Sequence, residues 1–390
     1  MGSSGLSLYV HIPFCRTLCT YCAFNTYAGM QALVAPYVEA LCREIRLVGE
    51  AGGAAAHTLY FGGGTPSLLS AEQAAAVIEA AREVFALPDG AEITLEANPG
   101  TVDLDKLRAY RAGGVNRLSI GVQSADADEL RMFGRRHSFE EAEEAYRLAR
   151  AAGCDNISLD LIYGAPRQTL AGWRRTLDAV LAWEPEHVSL YALKLEPGTS
   201  LHRQVERGRL PEPDDDLAAD MYDLARACLD AAGLQQYEIS NWARPGFESV
   251  HNRQYWLNEP YLGFGAGAHG YAAGLRYWNV DPVAEYIGLI KQGEPRAFPL
   301  SPAVADTETI STTLEMAETV ILGLRLVGEG VSRRAFEARF GRSLDDVFGA
   351  ALGAMVQAGL VMQDGDRVRL TERGYLLSNQ VFMRLLPEEA

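Results

Sequence analysis

The chain has 390 residues, 48% of them hydrophobic and 22% charged, which predicts one large domain joined to a smaller one. A formal charge of −16, with 35 Lys and Arg against 51 Asp and Glu, argues against a nucleic-acid partner, because a phosphate-binding surface needs clustered cations. Six cysteines in a chain this long do not suit a secreted disulfide framework. The start also lacks a basic and then apolar leader, and no run approaches the roughly 18 apolar residues of a membrane span, so a reducing, cytoplasmic setting is expected.

Along the chain, β-rich apolar runs alternate with amphipathic helical patterns. Strands are predicted at 6–12, 57–61, 92–97, 117–122, 156–163 and 187–195, and helices at 35–50, 71–85, 139–152 and 170–183. Six such units argue for a parallel sheet, and near-continuous apolar strands suit one covered by helices on a face. Periodicity does not distinguish an open sheet from a barrel. The acidic stretch 209–216 reads as a turn feeding a helix. A composition shift after Lys291, with Pro295, Pro299 and Pro302, predicts a linker, so the expected divisions are 1–235, 236–300 and 301–390.

In the last segment, helices predicted at 307–326, 332–340 and 344–358 precede an alternating hairpin at 360–370 with Asp364-Gly365 at its turn, and a final helix starts at Thr371. That order is a winged-helix-like α+β pattern. Its candidate recognition helix carries Asp345 and Asp346 and no Lys or Arg, the wrong sign for a major groove, so a lid or docking surface is expected.

Directly after the first predicted strand comes Cys15-Arg16-Thr17-Leu18-Cys19-Thr20-Tyr21-Cys22. Three thiols so close together point to metal. A structural zinc site would need a second ligand pair, and no second Cys-x-x-Cys or His-x-x-x-His follows. A four-iron cube held by three cysteines leaves one iron open to a small molecule. Cys42, Cys154 and Cys228 stand singly and read as core thiols.

Further polar groups fall at the ends of later strands. Gly62-Gly63-Gly64-Thr65-Pro66 can bring backbone close to a ligand, although a glycine triplet alone is as well read as a tight turn. Glu96 could pair with a ligand ammonium, Gln123 offers an amide, Arg135 offers a fork for a carboxylate, and Asp160 is an acid inside an apolar strand that needs a partner. Later, His251-Asn252-Arg253-Gln254-Tyr255-Trp256 sets an imidazole beside two aromatic rings. Read on its own, this stretch suits a satisfied histidine next to core aromatics better than a heme ligand.

Taken together, these residues resemble the radical S-adenosylmethionine (radical SAM) superfamily, whose signature is Cys-x-x-x-Cys-x-x-Cys with an aromatic before the last cysteine, here Tyr21. Tyr9, the glycine run, Glu96, Gln123, Arg135, Asp160 and Ala192 follow in the order used by its oxygen-independent coproporphyrinogen oxidase branch. The resemblance implies a partial (β/α)6 barrel, with a [4Fe-4S] cluster on Cys15, Cys19 and Cys22. S-adenosylmethionine would chelate the open iron and be cleaved to a 5′-deoxyadenosyl radical. Its implied contacts are Tyr9, Tyr21, Gly63, Gly64, Thr65, Glu96, Gln123, Arg135, Asp160 and Ala192.

Within that branch the sequence is more similar to the heme chaperones than to the decarboxylases that oxidise coproporphyrinogen III. Phe24 stands where the decarboxylases carry a fourth cysteine, and their long segment before the first cysteine has no counterpart before Cys15. The run at 251–256 also matches the chaperones' His-Asn-x-x-Tyr-Trp motif, which implies heme bound by His251 with Asn252, Tyr255 and Trp256. His269, in the glycine- and aromatic-rich run 261–271, is a second candidate ligand. Implied partners are heme, a heme-acceptor protein such as a respiratory hemoprotein, and a reductant protein for the cluster, with a homo-oligomer left open. The segment 370–382 resembles the chaperones' C-terminal domain.

Overall fold

The computed structural model describes residues 5–387; residues 1–4, part of the segment read for a targeting signal, and 388–390 lie outside it. Six parallel strands form the centre, in chain order: β1 (Leu6–Ile12), β2 (Ala56–Gly63), β3 (Glu92–Ala97), β4 (Arg117–Gln123), β5 (Ile157–Tyr163) and β6 (His187–Ala192). Helices Val34–Glu50, Ala71–Phe85, Leu104–Ala112, Phe139–Ala151 and Leu170–Leu181 connect them. The helix at Ala71 starts where expected because Ser70 caps it, Ser70 and Gln73 exchanging side-chain and backbone hydrogen bonds.

The sheet continues beyond those six strands. Short strands β7 (Gln235–Glu238) and β8 (Asn241–Ala243) close one edge, while β9 (Tyr261–Phe264), β10 (His269–Ala272), β11 (Leu275–Asn279) and β12 (Val304–Thr309) extend the other. The strand order is β12-β11-β10-β9-β1-β2-β3-β4-β5-β6-β8-β7, with β9 parallel to β1 and the outer additions antiparallel.

Alternation along the central strands separates two faces. Leu8, Val10, Leu59, Phe61, Ile93, Leu95, Leu118, Ile120, Leu159, Val188 and Leu190 are buried in one core that includes the flanking helices. The alternate positions carry Ser7, Thr58, Tyr60, Thr94, Glu96, Arg117, Ser119, Ser158, Asp160, His187 and Ser189. These strands are therefore less uniformly apolar than their reading as near-continuous hydrophobic runs, and the polar row is the inner face that carries the site.

One predicted element changes identity. Residues 307–309, expected to begin a helix, instead complete β12, where Thr307 and Thr309 pair with Tyr277 and Leu275. The helix begins at Thr312, after Ser311 caps the Leu314 N–H. A second core then gathers Met316, Val320, Leu324, Phe336, Leu352, Met355 and Val368. Around it, helices Thr312–Gly323, Arg333–Phe340 and Leu344–Gln357 combine with β13 (Val331–Ser332), β14 (Val361–Asp364) and β15 (Arg367–Leu370), ordered β13-β15-β14. That is a winged-helix-like arrangement. Among the described residues no helix is long and apolar enough to cross a membrane.

Candidate functional site

The cysteine loop is held by contacts to several other elements. Phe14–Cys15 pairs with Tyr27–Ala28, Thr20 N–H donates to the Phe133 carbonyl at 3.0 Å, and Leu201 N–H donates to the Thr20 carbonyl at 2.7 Å. Tyr21 packs edge-on against Phe133 at 5.5 Å, and Asn25 donates to the Ala266 and Asp281 carbonyls at 3.1 and 3.0 Å. Gly64 makes room for the loop, since a Cβ there would lie 2.8 Å from the Phe14 carbonyl oxygen and 3.0 Å from Cys15 Sγ.

Cys15, Cys19 and Cys22 are free thiols lining one cavity of about 680 Å³. Thr65 Oγ1 donates to Cys15 Sγ at 3.5 Å, and Arg135 Nη1 donates to Cys19 Sγ at 3.5 Å. Burial raises the Cys15 and Cys22 thiols, so a bound metal must displace their protons. Among the described residues no three His, Cys, Asp or Glu side chains converge to hold a single ion. A cube takes each thiolate at a separate corner, so three thiols that line one cavity without converging on a single point fit it better than they fit mononuclear zinc.

The same cavity is lined by Tyr21, Gly63, Gly64, Thr65, Glu96, Gln123, Arg135, Asp160 and Ala192. Gln123 sits at φ 71°, in the left-handed region, where the pairing of β4 with β5 slips between Gly121 and Gln123. Such a slip re-aims a side chain at the strand end. Arg135 Nη2 donates to the Gly121 carbonyl at 3.0 Å, and a Cβ at Gly121 would come within 3.1 Å of that nitrogen. The buried Arg135 Nε has no hydrogen-bond partner among the described residues, leaving donor capacity at the cavity.

Three groups set the charge of the inner face. Tyr60 donates to Glu96 Oε1 at 2.9 Å, yet the Glu96 carboxyl is pushed up to about 7, first by burial and then by the Asp160 charge. Asp160 is raised chiefly by burial and steadied by Ser119, which donates to its two oxygens at 3.0 and 2.9 Å. Arg117 is a buried cation whose charge opposes both shifts. Sequence reading passed over Tyr60, Arg117 and Ser119; their signal was the two-residue alternation of β2 and β4, which puts them on the inner face with Glu96 and Asp160.

Tyr9 does not join this cavity. Its hydroxyl bonds His11 Nδ1 at 3.0 Å, its ring stacks on Tyr60, and it lines a second, more open cavity of about 670 Å³ with His11, Phe24, Tyr255, Tyr261 and His269. Phe24 and Ala23 line both cavities. Of the run 251–256, only Tyr255 lines the second cavity. His251 is buried beneath it, its Nδ1 against Thr58 Oγ1 and its Nε2 against Tyr255 Oη, each at 2.9 Å. Trp256 is instead covered by the Arg325 guanidinium, 4.2 Å from its ring centroid. Cys42 and Cys154 are buried in the core, and Cys228 is half-buried.

Comparison with known proteins agrees with this geometry. Residues 9–180 match the radical SAM superfamily model and residues 310–377 match that of the HemN C-terminal domain. Among solved structures, coproporphyrinogen III oxidase (HemN) from Escherichia coli, described as a radical SAM enzyme, superposes with a TM-score of 0.83 at 28% identity, over 98% of this chain and 90% of that one. Fold and site thus define a radical SAM protein, the superfamily implying a [4Fe-4S] cluster and S-adenosylmethionine.

The heme chaperone HemW of Bacillus subtilis (strain 168) is 40% identical over 98% of this chain and 99% of its own. HemW of Lactococcus lactis subsp. lactis (strain IL1403) is 36% identical over 98% of both. The chain belongs to the HemW family.

Proposed function

We propose that the protein is a heme chaperone, binding heme and passing it to an acceptor protein, with a [4Fe-4S] cluster on Cys15, Cys19 and Cys22. The observation that carries this reading is the adjacency of two cavities, one lined by three thiols and the other by aromatic rings, with Phe24 and Ala23 common to both. Flat apolar surface beside an imidazole suits a porphyrin. In this reading heme occupies the second cavity, whose wall includes Tyr255 of the run 251–256, with His251 directly behind that ring. A respiratory hemoprotein serves as acceptor, and the thiols require a reducing compartment such as the cytoplasm.

S-adenosylmethionine would be held by the glycine run and Thr65, with Tyr21, Glu96, Gln123, Arg135, Asp160 and Ala192 around it. When bound on these thiols, the cluster would supply the electron, drawn from a reductant protein, for cleaving the sulfonium of S-adenosylmethionine. The chain's own contribution is positioning: Arg135 is anchored on Gly121, Asp160 on Ser119, and Glu96 on Tyr60.

The overlap with coproporphyrinogen III oxidase favours a second reading, oxidative decarboxylation of that porphyrinogen. Phe24, which presents a ring where a fourth thiol would stand, weighs against it. The two separate in one experiment on anaerobically reconstituted wild type and a Cys15→Ser/Cys19→Ser/Cys22→Ser variant. The chaperone reading expects about four irons per wild-type chain, few in the variant, hemin binding, and no protoporphyrinogen from coproporphyrinogen III. Porphyrinogen turnover or a wild type without iron and sulfide would reverse the assignment.

A further inference from the structure

We propose that the side chain that reaches heme iron is His269, at the start of β10 in the second cavity, and that His251 acts as a positioning residue for Tyr255. This rests on the heme-chaperone reading above and names the ligand within it.

His251 is 1% exposed, and both its ring nitrogens are engaged. Its ring also stacks on Tyr60 with centroids 5.0 Å apart. Iron could reach it only by breaking one of those hydrogen bonds and displacing the Tyr255 hydroxyl. What its place does accomplish is visible in the chain of contacts. Thr58 fixes the imidazole, the imidazole fixes the Tyr255 hydroxyl, and the Tyr255 ring meets Tyr261 edge-on at 4.7 Å as part of the cavity wall. The backbone beneath is anchored as well, the Glu92 carboxylate accepting from the N–H groups of Val250 and His251 at 2.9 and 2.8 Å.

His269 is the opposite case. It is exposed to the cavity, and among the described residues neither ring nitrogen has a hydrogen-bond partner. Packing rather than hydrogen bonding holds the ring, which stacks on Trp278 at 5.9 Å and 26°. Its backbone is set by Gly263, where a Cβ would overlap the His269 carbonyl. Burial lowers its proton affinity, with Asp281 opposing and Arg276 assisting, which favours the neutral imidazole that ligates metals.

The cavity volume of about 670 Å³ falls within the roughly 300–1,000 Å³ of small-ligand sites. Phe24, 71% exposed, supplies apolar surface on the side shared with the thiol cavity. Among the described residues Asp281 is the one charged side chain in the lining, so the cavity suits the apolar macrocycle and leaves heme carboxylates to face the open side.

The test is hemin titration of the full-length, cluster-loaded protein, read by Soret position and by the low-spin electron paramagnetic signature. The proteins compared are wild type, His251→Gln, His269→Ala, and His269→Gly with and without free imidazole. Expected are a histidine-ligated spectrum in wild type and the same band in His251→Gln with affinity weakened about tenfold. His269→Ala should lose that band, and imidazole should restore it in His269→Gly. An unchanged spectrum in His269→Ala, or loss of the band in His251→Gln alone, overturns the assignment of His269 while leaving the chaperone reading standing. Wild type that binds no hemin removes both.

Discussion

At Glu96 a carboxyl with proton affinity near neutrality faces the cavity that the thiols line. Its value of about 7 lies above the usual carboxylate range, so it holds its proton below that pH and becomes an acceptor above it. A ligand amino group hydrogen-bonds or pairs with the carboxylate alone. Affinity of the cluster-loaded protein for S-adenosylmethionine should therefore rise several-fold from about pH 6 to about pH 8. In Glu96→Gln that rise should disappear. Calorimetric titration at constant ionic strength measures both, and equal pH slopes in the two proteins would remove Glu96 from the ligand's surroundings. Glu96 and Asp160 could be named from sequence because a carboxylate in a strand is conspicuous. Tyr60, Arg117 and Ser119, which tune them, could not, because each is ordinary until the strand alternation faces it inward.

The helix Val250–Trp256 shows what a single element can impose on stability. Burial, with His57 and Arg117 adding to it, lowers the His251 value to about 3. Between that value and the ordinary histidine value near 6.5 the unfolded chain binds the extra proton. The contribution of neutral His251 is thus fully present above about pH 6.5 and is lost as pH falls towards 3. Buried His187 is lowered in the same direction. Urea unfolding should show a loss of about 2 kcal/mol or more between pH 7 and pH 5, and a shallower dependence in His251→Gln. A slope unchanged by that substitution would mean the imidazole takes up its proton in the folded state. Legibility at this scale followed the strength of local signals. The strands Leu6–Ile12 and Glu92–Ala97 and the helix Ala71–Phe85 end where apolar periodicity and capping place them. Strands β7 to β11 are three to five residues long, rich in glycine and aromatics, and gain their identity only by pairing with distant neighbours.

Across the whole molecule, the C-terminal unit clamps the helix that carries His251. Arg325 lies over Trp256 and pairs at 3.1 Å with Glu238, whose side chain is fully buried. Arg253 meets Glu329 at 2.6 Å, and Arg339 donates to the Asn258 carbonyl at 2.9 Å. Removing the cation leaves Glu238 buried without compensation, so Arg325→Ala should cost about 3 kcal/mol in thermal or denaturant unfolding. Adding Glu238→Gln should recover part of that loss. Additive effects of the two changes would show that they do not act as a pair. Trp256 accordingly belongs to the contact between the two units. The helix Leu344–Gln357 of this winged-helix-like unit carries no Lys or Arg, and its Asp345 pairs with Arg333, so it does not present the clustered cations that a phosphate backbone needs.

By itself the sequence determined the cysteine loop, the six strand–helix units and the glycine and acidic groups at strand ends. Each is written in residues close enough along the chain to share one period or one turn. Only the tertiary structure decided that Tyr9 lies outside the thiol cavity, that His251 is sealed against Thr58 while His269 is open, and that Trp256 faces Arg325. His251 and Thr58 are 193 residues apart, and their contact follows from β2 and the helix after β8 meeting across the folded sheet. Accessibility of this kind is a property of packing, and no local pattern of residues encodes it.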